Sequence, residues 1–208
     1  MIKFVYFDVG GVVIRDFEET DKWNIFKKDI GITESLEQPF MDLWNEYKER
    51  IGIDFDVDNL PAIFAQKLGI SFPKNYSLLD DFVSRFEKNK SIWPVINVIK
   101  ETCRIGLLTD MYPRMLPKII ERNLFSPVNW DVIIDSSKVG CRKPHEQIYR
   151  IAQGKVGVQN EEILFIDNLT KNLVVPKKLG WKTFLYDPNN FEQSSIDLGK
   201  YFDQIRVL

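Results

Sequence analysis

Four apolar runs in this chain each end in residues able to do chemistry. Phe4-Val5-Tyr6-Phe7 ends in Asp8 and runs on into Val9-Gly10-Gly11-Val12-Val13, and Ile105-Gly106-Leu107-Leu108 ends in Thr109-Asp110. Val132-Ile133-Ile134 ends in Asp135-Ser136-Ser137 and leads to Lys143, and Ile163-Leu164-Phe165-Ile166 ends in Asp167-Asn168. A carboxylate at the mouth of a buried strand stands where open α/β sheets collect their ligands. One crevice could therefore hold a carboxylate, a hydroxyl, an amine and a second carboxylate, a set able to attack, to donate hydrogen bonds and to balance charge.

Such a crevice needs a sheet that brings the strand ends together. Residues 3–7 read as a continuous apolar strand, the kind covered on both faces in a parallel sheet. From about Asp16 to Lys90 the texture changes: Trp23, Phe26, Ile30 and then Phe40, Leu43, Trp44, Tyr47, Ile51 recur at helical spacing. Four or so amphipathic helices are expected there, with no strand among them. After Ser91 helices and strands alternate, with strands expected at 104–109, 131–135, 163–167 and 182–186. Helices are expected near 94–103, 114–123, 144–154, 171–179 and 191–204. That alternation predicts βαβ units and a Rossmann-like parallel α/β sheet, with right-handed crossovers placing Asp8, Thr109 and Asp167 at one edge. The expected organisation is a core formed by residues 1–15 and 91–208, with residues 16–90 inserted as a helical cap over the strand ends.

Composition narrows the function. At 208 residues the chain suits one core carrying a smaller insertion, and 44% apolar with 28% charged residues is ordinary for a globular protein. A net charge of -2 gives no basic footprint for nucleic acid or an anionic membrane, so a small-molecule partner is expected. Oligomeric state is not legible. The two cysteines, Cys103 in a helix-like segment and Cys141 in a loop, lack metal-ligand spacing and read as reduced thiols. The first apolar stretch, broken by Asp8, lacks the features of a secretory signal, and no run reaches the roughly 20 residues that span a bilayer. A cytoplasmic location is the expectation. His145 is the only histidine, which argues against Ser-His-Asp or Cys-His mechanisms and histidine-rich zinc sites.

Taken in order, the motifs resemble those of the haloacid dehalogenase-like hydrolase superfamily, most closely its phosphatase branch with a helical cap after the first motif. The residues that carry the resemblance are Phe7-Asp8-Val9-Gly10-Gly11-Val12, Leu107-Leu108-Thr109, the segment Ser136-Ser137-Lys138-Val139-Gly140-Cys141-Arg142-Lys143-Pro144 with Ile148-Tyr149, and Phe165-Ile166-Asp167-Asn168 with Asn172. The resemblance implies that Asp8 is the nucleophile of an aspartyl-phosphate intermediate and that Mg²⁺ is held by Asp8, the Gly10 carbonyl, Asp167 and Asn168. It further implies that Thr109 and Lys143 hold the phosphoryl group, with Gly11 and Asp110 beside the substrate. A carboxylate attacking a phosphoryl group meets an anion, which is why counter-charge and in-line positioning are required.

The chain also departs from that pattern. Gly10 stands where the family's phosphatases usually carry a general acid and base, Asn168 where a second acid is usual, Lys171 where another often follows, and Val175-Pro176 where Gly-Ala is common. Loss of a positioned acid or base costs about 10² to 10⁴ in rate, and Asp110 is the substitute expected from its place beside Thr109. Asn168 offers a neutral oxygen without charge, so weak Mg²⁺ binding is expected. The main expectation is a Mg²⁺-dependent phosphatase of small phosphorylated metabolites. The alternatives are a catalytically silent module that binds a phosphorylated ligand or a protein partner, and a 2-haloacid dehalogenase, whose usual Tyr-Gly-Thr after the nucleophile is not matched by Gly10-Gly11-Val12.

Overall fold

A computed structural model describes residues 1–206. Its centre is a five-stranded parallel sheet built from β1 (Phe4–Phe7), β4 (Arg104–Thr109), β5 (Val132–Asp135), β6 (Ile163–Asp167) and β7 (Lys182–Leu185), in the order β5-β4-β1-β6-β7. The first strand is central. Phe7 lies opposite Leu107 on one side and Ile166 on the other, so the residues that follow β1 and β6 emerge beside the end of β4. Asp8 extends the pairing through its amide, which donates to the Ile166 carbonyl at 2.9 Å.

The two-residue period of a strand sends alternate side chains to opposite faces. Val5, Phe7, Ile105, Leu107, Leu164 and Ile166 join one hydrophobic cluster with α5 (Ile92–Lys100), α6 (Met115–Glu121) and α10 (Phe191–Ile205). Phe4, Tyr6, Leu108, Ile134 and Phe165 join the other with α8 (Glu146–Val156) and α9 (Thr170–Lys178). A sheet sandwiched this way explains why its strands read as unbroken apolar runs.

The helical insertion comprises α1 (Lys22–Asp29), α2 (Glu34–Ile51), α3 (Leu60–Leu68) and α4 (Leu78–Ser84). Its two ends are tied by a feature the periodicity does not reveal: β2 (Ile14–Arg15) and β3 (Glu87–Lys88) form an antiparallel ribbon. Two residues per strand are too few to show an alternation. The chain enters and leaves the insertion through this ribbon. Its helices carry an aromatic cluster in which Phe26 and Phe82 lie 4.9 Å apart and Trp23 and Trp44 lie 5.0 Å apart, centroid to centroid.

Two local expectations are corrected, and one element is added. The helix expected to reach Cys103 ends at Lys100, and the cysteine sits buried in the turn before β4. Pro144 does not open a helix at its first position; it lies in the turn after Lys143, and α8 begins at Glu146. A single additional helical turn, α7 (Ser136–Val139), follows β5 directly.

The Val175-Pro176 pair that stands where Gly-Ala is common leaves a specific mark on α9, inside which Pro176 lies. A proline inside a helix has no N–H for the carbonyl four residues earlier, which here belongs to Asn172. The Tyr149 hydroxyl donates to that carbonyl at 2.7 Å and replaces the missing bond. Tyr149→Phe strands a buried carbonyl and should lower stability by about 1–3 kcal/mol. The same substitution in a Pro176→Ala background should cost measurably less, since the backbone N–H is then restored.

Gly106 marks the tightest point of the sheet. A Cβ there would lie 2.6 Å from the Val132 carbonyl oxygen and 2.9 Å and 3.0 Å from the rings of Tyr6 and Phe4. The carbonyl belongs to a neighbouring strand and cannot swing away. Gly106→Ala should therefore destabilise by about 1–3 kcal/mol through overpacking, read as a lower midpoint in denaturant unfolding.

Candidate active site

At the carboxyl edge of the sheet, Lys143 is the hub. Its Nζ lies 2.8 Å from Asp8 Oδ2 and 2.7 Å from Asp167 Oδ2, and the lysine is only 3% exposed. The turn that delivers it is pinned by Asp110, whose Oδ1 accepts the Lys143 backbone N–H at 3.0 Å. Asp8 itself is held by the Val9 N–H, which donates to Oδ1 at 2.7 Å.

Asp167 is wholly enclosed, and donors occupy both its oxygens: Leu169 N–H at 2.8 Å on Oδ1, Lys143 on Oδ2, and Asn172 Nδ2 at 3.1 Å from each. Through these bonds Asp167 orients Lys143 and caps the turn into α9. It does not line the cleft, whereas Asp8, Gly10, Asn168 and Asp110 do. Among the described residues no three His, Cys, Asp or Glu side chains converge as a metal cluster.

One lysine charge serves two buried carboxylates, with Asp110 nearby as a third. Burial pushes the Asp8 carboxyl upward, Lys143 opposes that shift, and the negative charge of Asp167 adds to it. The Lys143 ammonium is penalised by burial, but the surrounding carboxylates outweigh the penalty and raise it. Burial likewise raises Asp110 against the pull of Lys143. This excess of buried negative charge favours an added cation. The donors available in the cleft, the Asp8 carboxylate, the Gly10 carbonyl and the Asn168 amide oxygen, are the hard oxygens that Mg²⁺ takes.

Thr109 is fully buried at the end of β4, and its Oγ1 has no hydrogen-bond partner. Buried hydroxyls are nearly always paired, so an orphan at the end of the strand adjoining β1 fits a donor kept for an incoming oxyanion. Gly11 takes a φ of +67°, and a Cβ on it would lie 2.4 Å from Asn168 Nδ2. Its lack of a side chain is what lets the loop after Asp8 pass against Asn168.

The cleft encloses about 380 Å³, and the helical insertion forms one wall with Phe17, Trp44, Lys48 and Ile51. Arg142 and Lys171 add positive charge from the sheet side. Lys171 is exposed, while Arg142 Nη1 donates to the Lys48 carbonyl at 3.3 Å and so links the two walls. Ser136 makes a second link through its hydroxyl, which donates to the Gly52 carbonyl at 2.6 Å. His145 is exposed at the start of α8 and takes no part.

One site residue lay outside the expectations. Asp16 follows β2, lines the cleft and points its carboxylate at Gly10: an ideal Cβ on that glycine would lie 2.2 Å from Asp16 Oδ2. Burial pushes its carboxyl up to about 6 against the opposing Glu18 N–H. In the sequence Asp16 is merely the residue where the apolar texture changes. Nothing in residue spacing announces that it folds back over position 10.

No family model matches the sequence. Among curated proteins, the Drosophila melanogaster rhythmically expressed gene 2 protein is 30% identical over 111 residues, which is 51% of this chain and 42% of that protein. The chain thus matches less than half the length of that relative. Among solved structures, a predicted HAD-like family hydrolase from Porphyromonas gingivalis superposes at TM-score 0.69 with 24% identity, covering 95% of this chain and 98% of the other. A HAD family enzyme from Bacteroides thetaiotaomicron, in complex with magnesium and inorganic phosphate, gives 0.67 and 20% over 90% and 96% of the two chains. L-2-haloacid dehalogenase from Xanthobacter autotrophicus gives 0.59 and 19% over 89% and 78%. With this sheet order and this likeness along nearly its whole length, the chain has the fold of the haloacid dehalogenase-like hydrolases.

Proposed function

We propose that this chain is a Mg²⁺-assisted hydrolase of phosphate monoesters of small metabolites, with Asp8 as nucleophile. The observation that carries the reading is the pairing of Asp8 with buried Lys143, together with the unpartnered hydroxyl of Thr109 at the end of the strand adjoining β1. A nucleophile opposed by its own substrate's charge needs a fixed cation and a fixed donor, and these two supply them without reorganisation.

In the first step an Asp8 carboxylate oxygen attacks phosphorus in line with the ester oxygen. The P–O ester bond breaks as the aspartyl P–O bond forms, and the leaving oxygen takes a proton to become the alcohol. Lys143 and Thr109 meet the charge on the non-bridging oxygens through charge-assisted and neutral hydrogen bonds. In the second step water attacks the phosphorus of the aspartyl-phosphate, loses a proton, and inorganic phosphate leaves with Asp8 restored. Mg²⁺ held by Asp8, the Gly10 carbonyl and Asn168 would supply counter-charge to the phosphoryl group. Asp110 holds the Lys143 turn, and Lys48, Arg142 and Lys171 bring positive charge to a cleft that also carries Asp16 and Glu18. The Bacteroides enzyme described above, with its bound magnesium and phosphate, supports the choice of reaction.

A second reading has an observation of its own. The neutral Asn168 and the committed oxygens of Asp167 leave Asp8 as the only carboxylate among the proposed cation donors, and displacement of halide from carbon by a carboxylate needs no metal. The likeness to the Xanthobacter dehalogenase supports it. A panel of phosphorylated metabolites assayed with and without Mg²⁺, alongside 2-chloropropionate without metal, separates the two. Phosphate release that depends on Mg²⁺ is expected; chloride release in its place would reverse the assignment.

Two substitutions test the roles. Asp8→Asn keeps size and hydrogen bonding while removing the attacking charge, so phosphate release should fall to background with the unfolding midpoint preserved. Asn168→Asp returns a negative ligand and should lower the Mg²⁺ concentration for half activity by roughly tenfold. An unchanged requirement would show that Asn168 does not face the cation.

A further inference from the structure

The reaction proposed above leaves a proton unassigned. An alkoxide is a poor leaving group, so the alcohol oxygen must be protonated as its bond to phosphorus breaks. Glycine at position 10 has nothing to give; of the carboxylates around the cleft Glu18 is exposed to solvent, and the others differ in what their oxygens already hold. Those of Asp167 are saturated, and Asp8 is the attacking group. Asp110 accepts the Lys143 N–H on Oδ1, and its Oδ2 lies 3.8 Å from Arg142 Nε. Asp16 differs from all three. Its Oδ1 accepts the Glu18 N–H at 3.1 Å, while no hydrogen bond or ion pair reaches Oδ2 among the described residues.

That free oxygen occupies the place a side chain of residue 10 would take, 2.2 Å from where its Cβ would stand and two residues along from Asp8. The backbone that carries it is firm on one side, because Ile14 and Arg15 pair with Lys88 and Glu87. We propose that Asp16 is the proton donor to the leaving oxygen and, once ionised, the acceptor of the proton from the attacking water. In the first step the Asp16 O–H proton passes to the ester oxygen as its bond to phosphorus breaks. In the second a proton from water returns to Asp16 as the new P–O bond forms. Gly10 and Asp16 thus act as one unit, the glycine making room that the aspartate fills. This inference rests on the phosphatase reading of Asp8.

Asp16→Asn preserves the acceptor for the Glu18 N–H and so separates proton transfer from turn structure. The measurement is the pre-steady-state burst of alcohol or phenol release from an alkyl phosphate and from 4-nitrophenyl phosphate. Asp16→Asn should slow the alkyl burst by about 10² to 10⁴ and the nitrophenyl burst far less, since nitrophenolate leaves without a proton. Adding Gly10→Asp to Asp16→Ala, where the clash is removed, should recover part of the alkyl rate. Gly10→Asp alone should not raise it, because the native Asp16 is in the way. Equal slowing of both bursts, or none, would overturn the assignment, and the nitrophenyl burst itself reports that the variant is folded. A wild-type protein that releases phosphate from no ester would overturn the phosphatase reading and this inference with it. An active wild type with an unimpaired Asp16→Asn would overturn this inference alone.

Discussion

Burying a lysine ammonium between two carboxylates is expensive, and the surroundings of Lys143 are arranged to offset that cost. Several kcal/mol per ion must be recovered when charges leave water, and recovery depends on good geometry and on hydrogen bonds to the remaining lone pairs. Asp167 has those bonds from Leu169 and Asn172, Asp8 has one from Val9, and the Lys143 ring neighbour Phe165 lies 5.5 Å from Nζ. Removing the lysine charge strands both carboxylates. The order of the sheet follows from the same requirement, because only adjacent parallel strands ending at one edge bring β1 and β6 to the lysine from opposite sides of it in sequence.

The cluster also explains why Asn172 and Tyr149 matter at a distance from the cleft. Asn172 holds Asp167 through its side chain while its carbonyl is held by Tyr149 across the gap that Pro176 leaves. A helix irregularity and the support of a buried ion pair therefore share one residue. Packing on this face of the sheet is the support on which the orientation of Lys143 stands.

Much of this was legible in the chain. The apolar runs before Asp8, Thr109 and Asp167 announce parallel strands because a sheet covered on both faces has no polar face to show, and the polar residue ending each run announces the edge. What escaped was spatial. The role of Asp167 as an anchor depends on four hydrogen bonds from three separate residues, and spacing alone cannot tell a saturated carboxylate from an open one. The ribbon of β2 and β3 joins residues more than seventy positions apart with two residues on each side. Asp16 sits at its end, and its approach to Gly10 is set by the turn of the chain between β1 and β2. Gly10 in the sequence reads as a loss; the fold places a carboxylate in the space.

The aromatic cluster of the insertion is continuous with the sheet's own core. Phe17 packs edge-on against Trp23, Phe26, Phe82 and Phe86, and the cluster runs unbroken through Val12 and Val13 to Phe7 and Leu107. Close-packed interiors do not yield gradually. The insertion is consequently no detachable lid: melting its helices would expose the apolar residues of the cluster they share with the core, so heat should take the molecule apart in a single calorimetric event. Movements that admit substrate are then confined to small slides of packed helices over one another, and the width of the entrance is a property of the shared interior as much as of the residues that line it.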